Sequence, residues 1–226
     1  MAEKIMQVVV LDIKNSPSSD NDAIVEVYSK KGIFFLLAKG INKSESKNRT
    51  NLQLGSLVEI EFFQARIQNK MSLLKKATLI SDIDYANRFN LIYIQKAITL
   101  LKQFPKAYYP LFESYVNTLN YLGIGKNSLL FTFLLSHTLN YFGLGVNVSK
   151  CCECNSPSNL CDFKFYKGGF LCGTHMVNQR WTKELKSIYY MYHDIKIFLQ
   201  ICISKVNQTI LCELKEYLEE NGIFLN

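Results

Sequence analysis

The chain has 226 residues, 48% hydrophobic and 20% charged, with a formal net charge of +7. That balance excludes an intrinsically disordered chain, suits one large domain or two small ones, and permits a polyanionic partner. It also excludes a membrane span: Leu129 to Leu135 is too short, and Ile188 to Ile203 carries His193, Asp194 and Lys196.

The first eighty residues read as strands. Lys4 to Ile13 is rich in valine and isoleucine, and Met1 to Lys14 lacks the long apolar core and cleavage site of a secretory signal. Asn15 to Asp22, with Pro17, reads as a loop. Strands follow at Ala23 to Tyr28 and, after the Lys31-Gly32 turn, at Ile33 to Lys39. Gly40 to Leu54 reads as a long, polar, mobile loop. Leu57 to Ala65 and Leu73 to Ile80 supply two more strands around a polar turn at Gln68-Asn69. Five short strands with turn signals and no helical period predict a small barrel. Its length fits an OB-fold, which binds oligonucleotides or oligosaccharides.

From Asp84 the spacing becomes helical, with Leu91, Ile94, Ala97, Ile98 and Leu101 on one face. A second helix is expected from Tyr109 to Tyr121. A third runs from Ser128 to Phe142, apolar nearly all round and so buried. Two more are expected at Thr182 to Ile203 and Val206 to Glu220. The expected class is α+β: a five-stranded OB-fold barrel over residues 1–82, then an all-α domain over 83–226 carrying a small zinc-binding module near 148–178.

The module rests on Cys151-Cys152-Glu153-Cys154 and Cys172-Gly173-Thr174-His175, with seventeen residues between the pairs. A tight knuckle aims two ligands at one point, and a second knuckle closes a tetrahedron. The expected ligands are Cys151, Cys154, Cys172 and His175, with Cys152 and Cys161 as alternatives. Phe163 to Tyr166 and Phe170-Leu171 flank Lys167-Gly168-Gly169, which predicts a hairpin between the pairs. Four protein ligands leave no open position, so the zinc would be structural. A redox CxxC is disfavoured because no βαβ pattern surrounds it. A zinc deaminase is disfavoured because His137 is followed by Thr138 and Leu139 rather than by x-Glu. Unpaired cysteines at metal spacing predict a reducing, cytoplasmic compartment and a soluble protein.

The charge is uneven. Lys30, Lys31, Lys39, Lys43, Lys47 and Arg49 face one acid, Glu45, between positions 30 and 50. Arg66, Lys70, Lys75 and Lys76 follow without an intervening acid. A solvated surface is the plain reading of either run. Two runs in one barrel, beside Phe34, Phe35, Phe62 and Phe63, instead suggest a nucleic-acid surface, since basic groups track a backbone while aromatics stack bases. Strand alternation assigns at least half of those rings to the core. An RNA- or ribosome-associated OB-fold protein with a structural zinc is the competing binding class. An enzyme is disfavoured: no P-loop, G-x-S-x-G or H-E-x-x-H occurs, and His137 and His193 stand alone in apolar helices.

The order of parts resembles the RecO family of bacterial DNA repair and recombination mediators. Tyr28-Ser29-Lys30-Lys31-Gly32 and Ala38-Lys39-Gly40 match its strand–Gly–strand–KG passage. Phe142-Gly143-Leu144-Gly145, Cys151-x-x-Cys154 and Gly168-Gly169-Phe170-Leu171-Cys172 match its second run. His175 stands where the family usually has a fourth cysteine, and Ile41 to Lys47 replaces an arginine-rich loop. The resemblance implies a non-enzymatic protein that binds and anneals single- and double-stranded DNA, contacts the tail of the single-stranded DNA-binding protein, and helps load recombinase with RecR. With it, Arg180, Lys183, Lys186 and Lys196 near Trp181, Tyr189, Tyr190 and Tyr192 imply a groove for a short acidic peptide with a hydrophobic end.

Overall fold

A computed structural model describes residues 3–65 and 70–225. The chain divides into two compact units, Met1–Gly123 and Ile124–Asn226. The first is built on five strands: β1 (Glu3–Ser16), β2 (Ser19–Ser29), β3 (Gly32–Ala38), β4 (Leu57–Phe63) and β5 (Ser72–Leu79). Their order is β1-β2-β3-β5-β4, and β4 pairs back onto β1, so the sheet closes into a barrel. Period-2 alternation sends Val8, Val10, Val25, Val27, Leu36, Val58, Ile60 and Phe62 to the interior. All pairings are antiparallel except β3 with β5, which meet only at Leu36–Ser72 and Leu37–Leu73.

Two expectations about loops need correction. Residues 15–22 do not form a loop. β1 runs on to Ser16, β2 begins at Ser19, and Asn15 pairs with Ala23, so only Pro17 and Ser18 turn the chain. The backbone ladder holds polar residues as well as apolar ones where one face meets water, and proline presets the turn. The segment from Gly40 to Leu54 has no strand or helix, as expected, but it is anchored. Ile41 and Leu52 are buried in the barrel core. Asn48 donates to the Lys75 carbonyl at 3.3 Å and accepts from the Ala77 N–H at 2.9 Å, and Asn51 donates to the Ala77 carbonyl at 2.9 Å. The short β3–β5 ladder leaves β5 backbone groups that these amides satisfy. The turn at Gln68-Asn69, and Arg66, lie outside the described residues.

Helices α1 (Arg88–Leu101) and α2 (Tyr109–Leu119) belong to the same unit. Tyr28 packs its ring 6.2 Å from that of Phe112, and the Tyr115 hydroxyl donates to the Gly55 carbonyl at 2.6 Å. Gly32 sits at φ +95°, pressed against the backbone of Pro105 and Lys106. A Cβ at this position would lie 2.4 Å from the Pro105 carbonyl oxygen. Gly32→Ala is therefore expected to lower stability by about 2–4 kcal/mol, through left-handed strain and the clash together. A shift of the urea midpoint with unchanged m-value would measure it.

The second unit holds α3 (Asn127–Ser136), the hairpin β6 (Leu160–Lys164) and β7 (Gly169–Cys172), then α4 (Thr182–His193), α5 (Ile195–Ile201) and α6 (Ser204–Glu220). α3 buries Leu129, Leu130 and every residue from Thr132 to Ser136, as its all-round apolarity predicts. It is shorter than expected, because Leu139–Phe142 tightens into a separate 3-10 turn that ends on left-handed Gly143. The expected helix from Thr182 to Ile203 is broken at Asp194. There the backbone is extended, and the carboxylate caps α5 by accepting the Ile197 N–H at 3.1 Å. Among the described residues no single helix is long and apolar enough to cross a membrane.

Candidate metal centre and nucleic-acid interface

Local backbone geometry builds each half of the cysteine cluster. The Asn155 N–H returns to the Cys151 carbonyl at 2.9 Å, and the Cys151 N–H donates to the Ser156 carbonyl at 2.8 Å. Asn155 takes the left-handed conformation this knuckle requires. The second knuckle repeats the device: His175 and Met176 N–H groups converge on the Cys172 carbonyl at 2.9 and 2.8 Å. The hairpin then brings the two together, with Phe163 opposite Phe170 and the Cys152 N–H donating to the Phe170 carbonyl at 2.9 Å. Gly169 permits this path. Asn147 backbone crosses so close that a Cβ on Gly169 would meet its carbonyl oxygen at 2.1 Å.

The Sγ atoms of Cys151, Cys154 and Cys172 and a ring nitrogen of His175 lie within 4.8 Å of one another. Cys154 Sγ is 3.7 Å from Cys172 Sγ, and His175 Nδ1 is 3.7 Å from Cys151 Sγ and 3.4 Å from Cys172 Sγ. Zinc–sulfur bonds of about 2.3 Å give a tetrahedral edge of about 3.8 Å, so these separations match a site that can hold a metal ion. Cys152 and Cys161 stand outside the group, and Cys161 Sγ instead contacts Met176 Sδ at 3.5 Å. Burial opposes ionisation of Cys151, yet N–H groups of Cys154, Cys172 and Glu153 bring its thiol down to about 6. His175 and backbone N–H groups lower Cys172. Although a Ser156 N–H favours its thiolate, Cys154 is driven up by burial and by crowding against Cys151 and Cys172. Cys172 and then Cys151 hold His175 above its ordinary value. Three sulfurs and an imidazole held this close form a donor set that a metal cation would join, releasing protons as it binds.

A buried ion network adjoins this centre. Asp162 is fully buried, and its Oδ2 accepts the Val177 and Asn178 N–H groups at 3.0 and 3.1 Å. Arg180 lies 3.4 Å from Asp162 Oδ1 and donates through Nη2 to both oxygens of Glu213 at 2.7 Å. Its side chain is 8% exposed. The placement of Arg180 on a peptide groove is thus corrected: its guanidinium is committed inside the unit. Trp181 is 55% exposed, with Lys183 5.7 Å above its ring. His137 packs between Phe133 and Tyr192, at 4.2 and 5.7 Å, and burial lowers its pKa.

The basic residues of the barrel fall into separate places. Lys30 and Lys31 form the β2–β3 turn, where Lys30 lies over the Tyr109 ring at 4.5 Å. Lys39, Lys43, Lys47 and Arg49 follow the opposite end of β3, all exposed and without an ion pair among the described residues. Lys70 is exposed just before β5. Lys75 and Lys76 are on β5 and are not acid-free in space. Lys75 pairs with Glu3 and Glu61, and Lys76 with Glu61 at 3.6 Å. Glu3 and then Glu61 hold the Lys75 ammonium more firmly protonated than usual. These acids are on β1 and β4, so linear spacing gives no sign of them. Of the four phenylalanines, Phe34 and Phe62 pack together at 5.8 Å, whereas Phe35 is 50% exposed.

A closed five-stranded barrel joined to a helical unit with a three-cysteine, one-histidine cluster defines a two-part architecture, and comparisons with known proteins give its class. A model described as recombination protein O N terminal matches residues 1–83, and one described as recombination protein O C terminal matches residues 87–220. A DNA repair protein RecO of Mesoplasma florum is 26% identical over 242 residues, covering 99% of this chain and 88% of that protein. A DNA repair protein RecO of Mycoplasma mycoides subsp. mycoides is 29% identical over 170 residues, covering 70% of this chain and 65% of that protein. The chain belongs to the RecO family of DNA repair and recombination proteins.

Proposed function

We propose that this chain is a non-enzymatic, cytoplasmic recombination mediator that binds single- and double-stranded DNA through its barrel. The observation that carries this reading is the exposed group Lys39, Lys43, Lys47 and Arg49, held without ion pairs among the described residues beside a barrel whose strand order fits an OB-fold. Lys30, Lys31 and Lys70 extend the basic surface. Lys75 and Lys76 contribute less, because Glu3 and Glu61 already neutralise them. We put the functional boundary at 82/83, between β5 and α1, while the first compact unit runs on through α1 and α2 to Gly123. RecR and the tail of the single-stranded DNA-binding protein are the partners expected of the family, and no membrane is involved. Zinc is the ion that the Cys151, Cys154, Cys172 and His175 donors suit. When bound it would cross-link two knuckles and leave no open position for catalysis.

Phosphate neutralisation drives such binding, so it is weakly sequence-dependent. Replacing Lys39 and Lys43 together by alanine is expected to weaken binding to all sequences alike. With two fewer phosphates neutralised on a single strand, the salt slope should flatten by about 1.4 units. Both side chains are exposed, so stability should change little. Fluorescence anisotropy across a salt titration tests this, with a matched RNA oligomer as competitor. A double variant that binds as tightly as the parent at every salt concentration would place the DNA-binding surface elsewhere.

A further inference from the structure

The three sulfurs of the cysteine cluster differ in access. Cys151 and Cys172 are buried, at 0% and 6% exposure, whereas Cys154 is exposed. Their contacts differ too. Cys151 Sγ meets the His175 ring at 3.7 Å, while Cys154 Sγ meets Cys172 Sγ at 3.7 Å. The second contact joins two sulfurs and crosses from one knuckle to the other. Shortening it to a disulfide bond of about 2.0 Å asks for about 1.7 Å of side-chain movement. The other thiols lack this combination of exposure and a sulfur partner. Cys161 is half-buried, and its Sγ rests on Met176 Sδ, a thioether that cannot close a disulfide. Cys152 is half-buried and Cys202 buried, while Cys212 is exposed on α6 but lies outside the cluster.

We propose that Cys154 is a peroxide-reactive site, and that its oxidation joins it to Cys172 in a disulfide that takes over from the metal ion the cross-link between the knuckles. The inference rests on the zinc reading above and adds to it a second, metal-free closed state. A metal-bound cysteine is a thiolate, the form that hydroperoxides oxidise, and exposure selects which of the three reacts first. Hydrogen peroxide is the oxidant. An S–O bond forms at Cys154 Sγ as the O–O bond breaks, and hydroxide leaves. Cys172 Sγ then attacks the resulting sulfenic sulfur, the S–S bond forms, and a second hydroxide leaves. The two sulfurs give up two electrons, the peroxide takes both, and two protons turn the hydroxides into water. Only Cys151 and His175 remain as donors, too few for a tetrahedral ion, so the ion is released. The disulfide closes a loop over the seventeen intervening residues, which keeps the ends of the hairpin together. A dithiol returns two electrons to the bond by thiol–disulfide exchange and restores the donors.

The test adds hydrogen peroxide in steps to the zinc-loaded full chain. A chromogenic chelator reads zinc release, and alkylation followed by non-reducing tryptic mapping reads the disulfides. Lys164 and Lys167 lie between Cys154 and Cys172, so trypsin separates the two unless a disulfide joins them, whereas Cys151, Cys152, Cys154 and Cys161 stay in one peptide. One zinc per chain is expected to be lost as one Cys154–Cys172 bond forms, and dithiothreitol with added zinc should reverse both. Cys161→Ser should release zinc within about twofold of the parent rate, because its thiol takes no part. The oxidised chain should melt above a metal-free reduced chain prepared with a chelator, because the cross-link survives. Zinc retained in excess peroxide would overturn the proposal. So would release with sulfinic or sulfonic acid at Cys154, or with a bond from Cys154 to Cys151, Cys152 or Cys161. These results would leave the zinc reading intact. A native chain without stoichiometric zinc would overturn both.

Discussion

Replacing Cys172 by alanine is expected to abolish metal binding and to destabilise the second unit by at least several kcal/mol, because metal-binding energy in such modules is folding energy. The two knuckles share only a small buried cluster, although the hairpin between them also packs Phe163, Phe165 and Phe170 and holds Asp162 against Arg180. That cluster is Cys151, Leu171 and Cys172, with Cys152 and Leu160 partly buried against it. A two-stranded hairpin is marginal by itself. Cys154→Ser should have a similar effect despite its exposed position, since it removes one corner of the tetrahedron. Elemental analysis should find one zinc per native chain. A chelator should reproduce the loss in thermal stability in the parent and have no effect on the variants. Acidification should also release the metal, because protons compete for thiolates and imidazole, and affinity falls as pH falls. The barrel should keep its hydrogen-exchange protection and its DNA affinity throughout. Native protein without stoichiometric metal would end the idea.

Arg180→Leu is expected to cost about 3–5 kcal/mol, the scale for removing one partner of a buried ion pair. The reason is Asp162 rather than the arginine itself. Its carboxylate has no exposed surface, and without the guanidinium it would keep only backbone donors, including the Phe163 N–H at 2.7 Å. Glu213→Gln should cost less, because Glu213 is 30% exposed and water can take over part of the bond. Arg180→Lys keeps the charge but loses the planar group that reaches Asp162 through Nε and Glu213 through Nη2 at once, so it should fall between the two. Chemical denaturation of the three variants gives the order. An unchanged midpoint for Arg180→Leu would mean that the network contributes no net stability.

The three-cysteine, one-histidine cluster was legible in the linear chain because each knuckle is local. Two-residue spacing suffices to point Cys151 with Cys154, and Cys172 with His175, at common centres, and the Gly168-Gly169 turn between them was legible for the same reason. The five strands were legible because their period of two is written into consecutive residues such as those of β2 and β4. Where a local cue competed with a long-range one, the tertiary structure decided. Polar Asn15 and Asp22 look like loop until the β1–β2 ladder is seen to extend past them. The apolar period through residues 182–203 hides a break that one capping aspartate imposes. Cys152 and Cys161 could be set apart from the cluster only once the hairpin register was known. The charges were the least legible feature. Lys75 and Lys76 have no acid nearby in the chain, but β1 and β4 bring Glu3 and Glu61 to them, and Arg180 looks like a surface cation until Asp162 and Glu213 close around it. Backbone propensity and ligand spacing act over a few residues, so the sequence alone determines them. Which charge meets which carboxylate, and which phenylalanine faces water, depends on strand register and closure between residues far apart in the chain.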